Sequence, residues 1–211
     1  MDFWERLDGV ATRWDVLAHP FYQRWSAGEL SAAELSLYAG QYAHAVRALA
    51  AASRDAADGA PGELAAELDE HAAEEEAHIA VWEGFSKAVD ADPNAAPLPE
   101  TAACVEAWAE PHRNPLQTLV ALYAIEAAQP AIAQTKRRGL TQHYGFGANS
   151  AATAYFDVHV ERDLVHAASG RRWIAERLVE SDSDACLAVA EGVLEANWRL
   201  LDGVERAACA A

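Results

Sequence analysis

Apolar residues recur three and four positions apart along nearly the whole chain, which is the spacing of one helix face. Phe3, Leu7, Val10, Trp14 and Leu17 predict a first helix to about Ala18. His19-Pro20 breaks it, and a short helix follows through Tyr22 to Trp25. Ser31-Ala-Ala-Glu34 is a capping box, in which each side chain satisfies the other's backbone amide. It opens a long helix to about Ala57, with Leu35, Tyr38, Tyr42 and Val46 on its inner stripe. Asp58-Gly-Ala-Pro61 turns the chain into a third helix that runs to about Val89. Residues 90–100 form the one Pro-rich loop, and a short helix covers 101–110. Asn114 as cap and Pro115 at the first position start an apolar helix that ends near Arg138-Gly139. Beyond the loop at 144–149, helices are expected over 151–168 and 171–179. Ser181 or Ser183 caps a last one to about Ala207. The pattern predicts an all-α fold: one domain over 1–211, built as a bundle of about seven helices.

Composition agrees. Alanine fills 50 of 211 positions, and Ala is the best helix former. Lys and Arg number 16 against 33 Asp and Glu, for a net charge of −17. Such a surface repels phosphate, so neither nucleic acid nor an anionic membrane surface is an expected partner. The longest nearly uncharged stretch, 116–134, contains Glu126 and Pro130 and reads as a buried helix rather than a membrane span. Three unpatterned cysteines (Cys104, Cys186 and Cys209) give no disulfide framework and no zinc spacing. The first residues lack a basic region followed by an apolar one. Together these predict a cytoplasmic protein.

Three features carry candidate chemistry. His159, Asp163 and His166 stand at i, i+4 and i+7, which places them in a stripe about 40–60° wide on one helix face. Two imidazoles and a carboxylate so presented suit Fe, Mn or Zn. Glu126 is the only charged residue between Arg113 and Lys136. A carboxylate in an apolar helix needs a cation, either a basic side chain from another helix or a metal. His71, Glu74, Glu75 and His78 form another i, i+3, i+4, i+7 stripe, and Glu-x-x-His on a bundle helix is the arrangement of carboxylate di-iron proteins. No Gly-rich phosphate loop, Gly-x-Ser-x-Gly or basic aromatic patch competes with this reading. A cysteine nucleophile has no sequence context, and His19 before Pro20 reads better as a helix break than as a haem ligand.

The sequence also resembles the heme-oxygenase-like di-metal oxidases, whose fold is shared with thiaminase-like and pyrroloquinoline-quinone synthase-like proteins. The likeness spans roughly 18–180 and is closest to members that make para-aminobenzoate. It runs through Phe21-Tyr-x-x-Trp25-Ser-x-Gly-Glu-Leu30, Tyr38, Asp69-Glu70 and His78-Ile-x-x-Trp82. It continues through Ala121-Leu-Tyr123, Glu126, Gln129-Pro130, Lys136 and Arg138-Gly-Leu-Thr141, and closes with Tyr155-Phe156, His159, Asp163 and His166.

The resemblance implies a heme-oxygenase-like bundle with six metal ligands. Five of them fall on His78, Glu126, His159, Asp163 and His166. The sixth is a glutamate seven residues before the first histidine, where this chain has His71. Glu70 takes that role if one extra residue is absorbed as a π-bulge. Glu74 or Glu75 takes it if the helix is regular. Glu70 is the expected ligand, with Glu74 next.

The implied cofactors are two metal ions, Fe/Fe or Fe/Mn, with O2 as co-substrate and an external reductant. The implied chemistry consumes the protein's own Tyr22 as the ring of para-aminobenzoate, with Lys136 as amino donor and Tyr38 and Tyr155 as relays near the site. Oxidation of a free amino acid or fatty acid, and a metal-free binding protein on the same fold, are the alternatives. The expected partners are small molecules, and a homodimer is allowed.

Overall fold

The computed structural model describes residues 2–210 and, among them, nine α-helices and no strand. They are α1 (Phe3–Arg13), α2 (Pro20–Ala27), α3 (Ala32–Asp58), α4 (Gly62–Ala88), α5 (Pro99–Trp108), α6 (Pro115–Glu126), α7 (Gln129–Gln142), α8 (Ala154–Arg177) and α9 (Ser183–Ala210). The local signals act as the sequence suggests. Capping boxes open α1 at Asp2/Glu5, α3 at Ser31/Glu34 and α6 at Asn114/Gln117. His19 Nδ1 accepts the Phe21 amide to cap α2, and Gly28, at φ 74°, ends that helix in the left-handed region that glycine tolerates.

The helix boundaries differ from the expected ones in three places, each for a physical reason. Asp15 caps a separate 3₁₀ turn over Val16–Ala18, so α1 stops at Arg13. Pro130 has no N–H to offer the Glu126 carbonyl and its ring crowds that carbonyl, so the apolar segment splits into α6 and α7. In the other direction, α8 runs without interruption through Gly170, where the pattern suggested two helices. A Cβ there would stand 3.3 Å from the Tyr123 ring, so the glycine serves close approach of α6 rather than a break.

α3 packs along α4, and α8 lies against α4, α6 and α7, while α9 closes the bundle against α1, α5 and α6. The buried apolar residues join in one cluster that reaches from Phe3 to Val204. Its centre is aromatic: Phe21, Tyr22, Trp25, Tyr38, Trp82, Phe85, Trp108 and Phe156 are almost wholly buried, with Lys136 among them. The indole N–H groups find backbone carbonyls, Trp25 on Lys136, Trp82 on Ala39 and Trp108 on Val193. No helix among the described residues is long and apolar enough to cross a membrane.

Gly139 fixes how closely α7, and therefore Lys136, approaches α2. A Cβ at this position would meet Trp25 Cδ1 and Nε1 at 2.5 Å, which real structures do not tolerate. We predict that Gly139→Ala costs roughly 2–4 kcal/mol by overpacking and displaces the Trp25–Lys136 hydrogen bond. Urea unfolding followed by tryptophan fluorescence checks this, and a variant of unchanged stability would contradict it.

Candidate metal centre

Three helices aim ionisable side chains at one interior point. α4 supplies His71, Glu75 and His78 from one face, α6 supplies Glu126 as its last residue, and α8 supplies His159, Asp163 and His166 from another stripe. All seven are buried. His71, Glu75, Glu126 and His166 bring one donor atom each within 4.8 Å of one another, and Glu75, His78 and His159 do the same. Glu75 belongs to both groups, so the two groups adjoin.

His71 Nε2 donates to Glu126 Oε1 at 2.8 Å, and His78 Nδ1 donates to Glu75 Oε1 at 3.1 Å. The ring pairs His71/His166 and His78/His159 stand 4.2 and 4.4 Å apart between centroids. His159 Nδ1 donates to the Tyr155 carbonyl at 2.6 Å, which orients the ring and leaves Nε2 as the free donor. His166 Nε2 donates to Glu74 Oε2 at 2.9 Å, and Arg162 holds that carboxylate with two N–H groups. Asp163 Oδ1 lies 3.6 Å from His166 Nδ1.

Four polar atoms in this cluster are buried without a hydrogen-bond partner: His71 Nδ1, His159 Nε2, Asp163 Oδ2 and His166 Nδ1. Each orphan costs about 1–3 kcal/mol, and four around one point are uncommon in a relaxed interior. A pair of metal ions fits them, because imidazole and carboxylate donors are what Fe, Mn and Zn accept.

The structure brings five of the six expected ligands together and leaves Glu70 apart from them. α4 is α-helical throughout, without the π-bulge that the Glu70 assignment needs. Glu70 is exposed on the outer face, and Glu75 and His71 occupy the interior instead. Glu74 is not in the cluster but holds His166. The sequence signal for this interior trio is the regular i, i+4, i+7 spacing of His71, Glu75 and His78.

A family model for iron-containing redox enzymes matches residues 36–199. The chain belongs to this family of iron-containing redox enzymes. Curated relatives called 4-aminobenzoate synthase are 32% identical in Chlamydia muridarum and 30% in Nitrosomonas europaea, each over 99% of this chain and 93% of the relative. Among solved structures, a Shewanella denitrificans domain with a heme oxygenase-like fold aligns at TM-score 0.83 and 21% identity, over 98% of this chain and 93% of that one. A TenA homologue from P. horikoshii aligns at 0.75 and 18%, over 95% and 96%. The fold is therefore heme-oxygenase-like, and the chain is an oxidoreductase in kind.

The other candidate residues form a second buried group beside the cluster. Tyr22 and Tyr38 share a hydrogen bond between their hydroxyls at 2.9 Å. Lys136 Nζ stands over the rings of Tyr22, Tyr38 and Tyr42 at 5.3, 5.3 and 4.6 Å from their centroids, with Trp82 and Phe156 also within 6 Å. Tyr155 stacks on His159 at 3.9 Å and meets the Trp82 ring at 4.8 Å. Trp82 in turn contacts Tyr38 at 6.1 Å. Trp82 and Tyr42 had given no chemical signal in the sequence beyond an aromatic at helical spacing.

Burial lowers the Lys136 amine to about 7, with no charged neighbour to hold the proton. The surrounding ring faces stabilise a cation and offset part of that fall. Burial raises the Tyr22 phenol well above its ordinary value, so it stays protonated.

We predict that His159→Ala and Glu75→Ala each lower bound iron or manganese while the far-ultraviolet circular dichroism stays helical. Full metal content in both, measured by elemental analysis, would refute the assignment. A second prediction concerns Lys136. Its folded value near 7 lies below the unfolded 10.5, so between those limits the unfolded chain binds more protons and stability rises with pH. Lys136→Met should therefore stabilise by roughly 2–4 kcal/mol at pH 7, the gain shrinking toward zero near pH 10.5. Urea unfolding at both pH values reads this out, and a gain that does not depend on pH would contradict it.

Proposed function

We propose that the chain is a dinuclear-metal oxygenase that makes 4-aminobenzoate from its own Tyr22, with Lys136 as the source of nitrogen. The observation that carries this reading is the placement of a buried lysine amine over the Tyr22 ring, 5.3 Å from its centroid, in an aromatic group that reaches the metal-ligand cluster through Tyr38, Trp82 and Tyr155. The family match and the relatives named 4-aminobenzoate synthase support it. A tyrosine ring carries its carbon substituent para to its oxygen, the same relation as carboxyl and amine in that product.

Held by His71, Glu75, His78, Glu126, His159, Asp163 and His166, two ions, Fe/Fe or Fe/Mn, supply oxidation of an organic group by O2 with electrons from an external reductant. The protein residues set what is oxidised. The Tyr22 phenol, kept neutral by burial, loses its proton readily once an electron is withdrawn, and the Tyr38 hydroxyl at 2.9 Å is placed to accept it. Tyr155, stacked on His159, and Trp82 between Tyr155 and Tyr38 offer an aromatic route for that electron. Lys136 is free amine in a substantial fraction of molecules near neutral pH, and a free amine is nucleophilic. Its surroundings exclude water, which would otherwise compete for an oxidised ring.

Tyr22→Phe keeps the ring and its packing but removes the phenol. We predict that it abolishes 4-aminobenzoate formation while about two metal ions per chain remain bound. Protein labelled only in tyrosine should give labelled product, and after iron, O2 and reductant the intact mass should fall by what Tyr22 and Lys136 give up. An active Tyr22→Phe enzyme would reject self-consumption and point to a free small molecule as substrate.

A further inference from the structure

Outside the cluster, between α4 and α8, lies a surface recess of about 220 Å³. Its walls carry Glu67, Glu70 and Glu74 from successive turns of α4, and Arg162 from α8 crosses it. Its floor is formed by His71 and His166, two of the inferred ligands. Both are more than nine-tenths buried, at 5% and 7% exposure, and each ring bears an unpartnered Nδ1. The rings therefore separate the recess from the buried donors: His166 turns Nε2 outward to Glu74 and Nδ1 inward toward Glu75 and Asp163.

The three carboxylates have different partners. Glu67 is tied to Arg172 and to the Trp173 indole N–H, so it is a fixed wall. Glu70 is exposed and has no hydrogen bond or ion pair among the described residues. Glu74, one turn deeper, is clamped by Arg162 and at the same time accepts from His166 Nε2. That last contact couples the outer ion pair to the floor of the recess.

We propose that this recess is the route by which a divalent metal ion reaches the buried centre. The proposal rests on the metal-centre reading above. Glu70 captures the hydrated ion, its carboxylate replacing water in the ion's shell. Glu74 receives it next, and the ion takes the place of Arg162 as counter-charge. Once Arg162 lets go, the His166 ring that Glu74 holds is free to turn, and the floor opens toward Glu75 and Glu126. Arg162 is the plug of the route, and its pairing with Glu74 keeps the loaded centre shut.

The test uses metal-free full-length protein and cobalt(II) as the probe, with loading followed by its visible absorption after rapid mixing. Glu70→Gln should slow loading at low salt by at least about threefold, because a charged cleft concentrates counter-ions. The gap should close at high salt, where surface charges are screened. The final content should remain about two ions per chain. Arg162→Gln should load faster than the natural protein. An unchanged rate in Glu70→Gln overturns the route while leaving the metal centre intact. Reduced final content in Glu70→Gln overturns it by making Glu70 a ligand, and slower loading in Arg162→Gln overturns the plug. Absence of cobalt binding in the natural protein overturns both the route and the centre.

Discussion

Three carboxylates and four imidazoles share a volume from which water is excluded, and the bundle is organised around the need to balance their charge. An isolated buried carboxylate costs several kcal/mol, and Glu75, Glu126 and Asp163 stand close together. Burial raises Glu126 above the carboxylate range, opposed by His71. Burial acts the same way on Glu75, but there the His78 hydrogen bond and the nearby imidazoles prevail and hold it low. The imidazoles meet part of the demand: burial would lower His166, yet Asp163, Glu126 and Glu74 bring it up to about 9. Four donor atoms still lack partners, and imidazole and carboxylate donors of this kind suit divalent metal ions. Tight packing of α4, α6 and α8 thus coincides with a demand for metal.

The aromatic layer beside the cluster answers a different constraint. Lys136 has no carboxylate to pair with, and its neighbours are ring faces. That environment makes the amine available without a general base, at the cost of stability around neutral pH. Such a trade is expected where local structure is kept for chemistry rather than for the fold.

Much of this was legible in the sequence because helices announce themselves. The cap at Ser31/Glu34, the Asn114-Pro115 start and the His159/Asp163/His166 stripe depend on local spacing alone. What the sequence leaves open depends on register or on contacts between distant segments. The spacing allows Glu70 in the interior with a π-bulge and Glu74 or Glu75 without one, and the regular path of α4 turns Glu75 inward and Glu70 outward. The break at Pro130 was visible as a residue, but the surrounding apolar run outweighed it. The role of Trp82 needs the ring of Tyr155 from α8 and that of Tyr38 from α3, which no sequence window contains together.

Pro130 has an electrostatic side as well. By ending α6 at Glu126, it leaves the carboxylate at the C-terminal end of a helix, where the aligned peptide dipoles sum to about half a negative charge. Glu126 thus meets the cluster from the negative end of its own helix. A helix continuing through residue 130 would carry that partial charge a turn or more further on. The proline makes the backbone of α6 part of the negative field that an incoming cation feels, with no further acidic side chain required.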